Sequence, residues 1–262
     1  FVNKSHLCPS FDVVFIDEAQ DLSPIQWMMY DILKSNTKDM YLAGDDDQAI
    51  YAWAGADVDR FIKEPAIEVV LKKSRRVPRK VQDISNIIVN RIEGLRADKT
   101  YHPREEDGSC IKINNLDNVD IMKDNWLILT RTRSKSVQIA KELKQRGIFF
   151  ESKFFKSLNT KLHKAAVYYS RWSEGQELNQ KEIDDVEDYM SDNNWNELVP
   201  WFEAFDKANL EDKNYIRLLL SNKEKLSEPP RVKISTIHAA KGGESDNVLL
   251  VLDNARKIRE SV

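Results

Sequence analysis

The stretch Phe11-Asp12-Val13-Val14-Phe15-Ile16-Asp17-Glu18-Ala19-Gln20-Asp21 decides the fold of this chain. Val13 to Ile16 form an apolar run, the pattern of a strand buried in a parallel sheet. Open α/β sheets bind ligands in the crevice beyond the carboxyl ends of such strands. Here the strand ends in two adjacent carboxylates. Asp17 in that place can hold Mg²⁺, usually through water, and Glu18 can orient or activate an attacking water. Taken alone, the pattern fits a buried strand with an acidic helix cap at least as well.

Downstream residues discriminate. Ser23-Pro24 supplies a helix start, Ser as N-cap and Pro at the first helical position, and the helix Ile25 to Lys34 carries a stripe of Trp27, Met28 and Ile32. Met40 to Gly44 reads as a second buried strand, followed by Asp45-Asp46-Asp47-Gln48-Ala49-Ile50-Tyr51-Ala52-Trp53-Ala54-Gly55-Ala56. Gly44 at the strand exit allows a tight turn. If the two strands are neighbours, Gln48 lies beside the Asp17/Glu18 tip. An uncharged amide that donates and accepts suits the sensing of a terminal phosphate and its attacking water. Tyr51 and Trp53 share one side of an extended segment and suggest a stacking platform for single-stranded nucleic acid; ordinary core packing is the alternative, the stronger one for Tyr51 alone.

The segments DEAQD and GDDDQAIYAWAGA resemble motifs II and III of the UvrD/Rep/PcrA-type superfamily 1 DNA helicases, the first as a Walker B site. The resemblance implies that Gln48 couples the γ-phosphate to the DNA site and that Tyr51 and Trp53 contact single-stranded DNA. Ala54 stands where the family usually has arginine, which removes one contact. Val69 to Pro78 resembles motif IV: Arg76 falls on the family's arginine, a candidate for the γ-phosphate, and Arg75 replaces a tyrosine that elsewhere stacks on adenine. Arg231 to Ser245 matches motif V, with Gly243 in place of leucine. That match implies that Thr236 and His238 face the DNA strand or motif III, while Gly242 and Glu244 approach phosphate and ribose. Thr130, Arg131 and Thr132 resemble a further family segment in which Arg131 either contacts DNA phosphates or is structural.

Elsewhere, a short strand is predicted at Val69 to Leu71 and a helix after Pro78 with Val81, Ile84, Ile87, Ile88 and Ile92 on its apolar positions. Residues 93–110 read as a polar connection and Ile111 to Ile113 as a short strand. Trp126 to Arg133, a helix from Ser136 to Arg146 ended by Gly147, and Ile148 to Phe150 form a βαβ pattern. Residues 156–229 show amphipathic helices whose aromatic residues read as core. The expected fold class is α/β: two RecA-like P-loop NTPase-type domains, the first partial, with a small all-helical insertion in the second. The expected boundaries are 1–90 for the first domain, 91–155 with 230–262 for the second, and 156–229 for the insertion.

The chain has 262 residues, 40 Lys and Arg against 43 Asp and Glu, and a net charge of −3. A protein with a broad basic nucleic-acid-binding face is usually more positive than that, so DNA contact is expected along a local groove. No apolar run reaches membrane-spanning length, and Cys8 and Cys110 are expected to be reduced thiols of a cytoplasmic protein. No G-x-x-x-x-G-K-[ST] occurs in these residues. The resemblance therefore implies a fragment of an ATP- and Mg²⁺-dependent helicase or translocase, moving 3′→5′ on single-stranded DNA and meeting a duplex junction as a monomer, with little ATPase activity on its own. The alternatives are a non-catalytic DNA- or partner-binding module and the motor part of a helicase–nuclease.

Overall fold

The computed structural model describes residues 2–226 and 228–252. It is a mixed α/β structure built on parallel sheets, and it divides into two compact units, Phe1–Ile113 and Asn114–Val262.

In the first unit, β1 (Phe11–Ile16) pairs in parallel with β2 (Thr37–Leu42). Their crossover is α1 (Pro24–Ser35), which starts where Pro24 sets its first turn and Gln26 Oε1 accepts the Ser23 N–H at 2.9 Å. Trp27 and Tyr30, three residues apart, are the buried positions of α1, whereas Met28 is half exposed. The register Val13↔Asp39 and Ile16↔Leu42 brings both strands to their carboxyl ends side by side. Two more helices follow, α2 (Val58–Lys63) and α3 (Arg79–Val89).

Two short strands expected in this unit do not form. Val69 and Leu71 form no strand and are 77% and 83% exposed, and Ile111 to Ile113 make no ladder. β-branched residues favour a strand only where a partner and a packing face exist. The pairing in this region is a single bridge between Lys73 and His102. Residues 91–113 lie in the first unit: the His102 N–H donates to Lys72 O at 2.7 Å, and Gln82 Nε2 donates to Tyr101 O at 2.7 Å.

In the second unit, β3 (Trp126–Thr130), β4 (Phe150–Ser152), β5 (Val232–Thr236) and β6 (Asn247–Val251) form a parallel sheet in the order β4-β5-β3-β6. Helix α4 (Arg133–Gln145) starts at Thr132, whose hydroxyl accepts the Lys135 N–H at 3.2 Å. It ends at Gly147, where φ is +64° and an added Cβ would lie 2.5 Å from Leu218 Cβ. Backbone conformation and space both demand glycine there. Between β4 and β5 the chain is helical: α5 (Thr160–Ser173), α6 (Gln180–Glu187), α7 (Trp201–Ala204) and α8 (Leu210–Ser221). Their aromatics pack as core around Tyr169, which stacks on Trp195 at 5.7 Å and meets Phe205 edge-on at 5.5 Å. Tyr215 ties this layer to the segment leading into β4 by donating to Ile148 O at 2.8 Å, and burial pushes its hydroxyl pKa well up.

Candidate functional site

The carboxyl ends of β1 and β2 build the centre of the first unit. The Ala43 N–H donates to Ile16 O at 2.8 Å and the Ala19 N–H to Ala43 O at 2.9 Å, so the two strand exits are knitted together. Asp17 is exposed at the tip of β1, and its Oδ1 accepts the Glu18 N–H at 2.9 Å. Glu18 adopts the left-handed conformation, φ 54° and ψ 40°, an uncommon state for a residue with a side chain. Such states persist where the surroundings hold them, and they cluster at functional sites.

What surrounds this turn is Gln20, which is fully buried. Its Nε2 donates to Glu18 Oε2 at 2.5 Å, and its Oε1 accepts the Asp45 N–H at 3.0 Å. Asp45 Oδ2 in turn accepts Gln48 Nε2 at 2.6 Å. A continuous relay, Glu18–Gln20–Asp45–Gln48, thus joins the acidic tip of β1 to the glutamine that follows β2. Gly44 keeps the relay close. Its φ is not positive, so the tight-turn expectation does not account for it; a Cβ there would lie 2.5 Å from Gln20 Oε1 and 2.7 Å from Phe61 Cζ. The absence of a side chain matters at Gly44, not backbone freedom.

The acidic run 45–47 is answered by two cations that sequence reading missed. Lys99 Nζ lies 2.6 Å from Asp45 Oδ1, also contacts Asp46, and is 3.4 Å from Asp47 Oδ2. Arg96 forks onto Asp47, Nε to Oδ1 at 2.6 Å and Nη2 to Oδ2 at 2.9 Å. Burial alone would push the Asp47 carboxyl up, but Arg96 and Lys99 outweigh it and hold the group below the usual carboxylate range. Burial likewise works against the charge of Lys99, yet Asp45 and Asp46 raise its pKa well above the ordinary lysine value. Three successive acids signal a need for cations, but no fixed sequence offset points to residues about fifty positions away.

Tyr51 and Trp53 do not lie on an extended segment. Ala52–Ala54 is a 3₁₀ turn, which tilts the two rings at 54° with centroids 6.4 Å apart and leaves Trp53 76% exposed. Arg75 and Arg76 are exposed in the bend before α3.

The second unit gathers its own candidates at the carboxyl ends of β3 and β5, where Thr130 pairs with Thr236. Thr130 is buried and its hydroxyl lies 2.7 Å from Ser136 Oγ, which fixes the start of α4 and leaves the next residue, Arg131, exposed. Thr236 is nearly buried, and its Oγ1 accepts the Ala239 N–H at 3.3 Å. That contact supports the 3₁₀ turn His238–Ala240, after which Gly242, φ +79°, carries the chain to the exposed Glu244.

Among the described residues, no group of three or more His, Cys, Asp or Glu is arranged to hold a metal ion. Mg²⁺ in phosphate-transfer sites takes one or two carboxylates and completes its shell with water and substrate phosphates, and the exposed Asp17 at a strand end fits that demand. No helix among the described residues is long and apolar enough to cross a membrane.

Residues 4–66 match the family model of the UvrD/REP helicase N-terminal domain. Over 85 residues, 30% of this chain, the sequence is 34% identical to a probable DNA helicase II homolog of Mycoplasma capricolum, covering 12% of that protein. It is 30% identical over 110 residues, 38% of this chain, to DNA helicase II of Escherichia coli, covering 15% of it. An ATP-dependent DNA helicase PcrA of Leuconostoc citreum is 28% identical over 85 residues, which are 30% of this chain and 11% of the relative. The matched stretches thus span only 11% to 15% of these relatives' lengths.

Proposed function

Because residues 4–66 match the family model of the UvrD/REP helicase N-terminal domain, we propose that this chain is part of an ATP-dependent DNA helicase or translocase that moves 3′→5′ on single-stranded DNA. The observation that carries this reading is the relay Glu18–Gln20–Asp45–Gln48. A motor needs its hydrolytic centre and its phosphate sensor to be mechanically one, and here Gln20 and Asp45 connect them, the Asp45 backbone N–H donating to the Gln20 side chain.

The residues divide the work as follows. Bound with ATP, Mg²⁺ would supply neutralisation of phosphate charge, and Asp17 is the residue that would hold it. Glu18 orients the attacking water. Gln48 senses the γ-phosphate, and the planar, permanently charged fork of Arg76 suits the charge that develops there. Gly242 and Glu244 approach phosphate and ribose. Tyr51 and Trp53 offer ring faces to the bases, and Arg131, Thr236 and His238 serve the strand from the second unit.

In this reading the first unit is part of one RecA-like domain. The sheet of the second unit belongs to another, and helices α5 to α8 are its insertion. The protein acts as a monomer at a duplex junction. The 262-residue chain, with no phosphate-cradling G-x-x-x-x-G-K-[ST] loop, hydrolyses little or no ATP by itself. Unwinding by the full-length parent tests the reading: duplexes with a 3′ single-stranded tail should open in an ATP-dependent reaction, and those with a 5′ tail should not. Equal opening of both, or of neither, refutes it.

A further inference from the structure

The ion cluster at residues 45–47 has a consequence for Gln48. We propose that Lys99 and Arg96 are positioning residues, an ionic lock that holds the Asp45-Asp46-Asp47 turn in the one arrangement that seats the Gln48 amide.

Three carboxylates, on the cap and the first two residues of a short 3₁₀ turn, repel one another, and two of them, Asp46 and Asp47, have side chains only 5% and 9% exposed. Water cannot screen that repulsion. Lys99, its own side chain 5% exposed, reaches all three acids, and Arg96 fixes the plane of Asp47 through a two-point contact. The Ala97 N–H adds a third tie, donating to Asp46 Oδ2 at 2.9 Å.

Asp45 is where the lock meets the sensor. Its Oδ1 faces Lys99 at 2.6 Å, while its Oδ2 accepts Gln48 Nε2 at 2.6 Å. A carboxylate is rigid and planar, so fixing one oxygen fixes the other. Lys99, together with the Asp47 N–H that donates to the same Oδ1 at 3.2 Å, therefore sets the orientation of the acceptor that holds Gln48, although it does not touch Gln48. A buried ion cluster is no more stabilising than well-packed apolar residues of the same volume, so geometric specificity is the benefit assigned to it here.

The simpler alternative is a staple that ties residues 96–102 to the first unit without consequence for Gln48. The two differ at the Gln48 side-chain amide. What Gln48 does rests on the helicase reading; the lock itself does not.

The test is amide hydrogen exchange by nitrogen-15 NMR on the 262-residue chain, with the Gln48 side-chain signal assigned by its loss in Gln48→Glu. In Lys99→Met, exchange of the Gln48 side-chain amide and of backbone amides 45–49 should rise about tenfold or more, with α1 unchanged. Adding Asp46→Asn, which removes one of the uncompensated charges, should return Gln48 to within roughly threefold of the parent. Arg96→Met should give an intermediate effect, and it carries the test if Lys99→Met does not fold. An unchanged Gln48 amide, equal acceleration throughout the first unit, or no recovery with Asp46→Asn would overturn the lock. Hydrolysis is not read in this experiment, so failure of the helicase reading would appear separately, in unwinding.

Discussion

Gln20→Met removes the middle of the relay while nearly preserving side-chain length. Gln20 is fully buried and makes two hydrogen bonds, to Glu18 Oε2 at 2.5 Å and from the Asp45 N–H at 3.0 Å. The first bond is to a charged group but an exposed one, so its loss costs about 1 kcal/mol. The second loss strands the Asp45 N–H, at about 1–3 kcal/mol. The thioether recovers part of this by burying apolar surface. A net loss of about 2–3 kcal/mol follows, confined to the first unit. Hydrogen exchange during urea titration, read on peptides from β1 and α1 and separately on peptides from β3 and α4, measures it unit by unit. Gln20→Glu adds a second readout, because it places a carboxylate against Glu18. The new group must then stay protonated, its pKa raised above the unfolded value, so stability holds at about pH 4 and falls as pH rises through that raised value. A first unit unchanged by Gln20→Met to within about 0.5 kcal/mol, the scatter of ordinary surface substitutions, or a Gln20→Glu variant indifferent to pH, would refute the relay.

Three further outcomes are expected. Gly44→Ala drives a methyl into Gln20 and Phe61, and overpacking of this kind should lower first-unit stability by about 1–3 kcal/mol in the same exchange experiment. Trp53→Ala should leave stability unchanged, since the ring is 76% exposed, yet weaken binding of single-stranded DNA by roughly 5- to 150-fold in fluorescence anisotropy, corresponding to about 1–3 kcal/mol for a stacked base; equal affinity would remove Trp53 from the strand site. In the second unit, burial holds the His163 imidazole below its ordinary pKa of 6.5. The folded state therefore binds fewer protons than the unfolded one. Its stability should be complete above the unfolded pKa and decline as pH falls below it, a slope that His163→Gln should flatten in urea titrations at several pH values.

The sequence made the acidic tip legible because its signals are local. An apolar run, two acids and a second run ending in Gly44 place Asp17, Glu18 and Gln48 at adjacent strand ends once β1 and β2 pair. Lys99 and Arg96 were invisible for the opposite reason: their partners lie about fifty residues away, and the intervening segment has no periodicity. Val69 to Leu71 misled because a β-branched run promises a strand only if another strand receives it. Gly44 was noticed for its backbone, while the structure needs its missing side chain. Gln20 stands inside the DEAQD segment, yet nothing in sequence marks a glutamine as fully buried.

The most direct measurement is ATP hydrolysis by the full-length parent, with and without single-stranded DNA, beside its Glu18→Gln form. That substitution leaves an oxygen to accept from Gln20, so the relay survives while the carboxylate proposed to orient water is lost. A helicase motor gives hydrolysis strongly stimulated by the strand and abolished in Glu18→Gln. Absence of hydrolysis in both forms, with strand binding retained, would contradict the motor and leave a DNA-binding module.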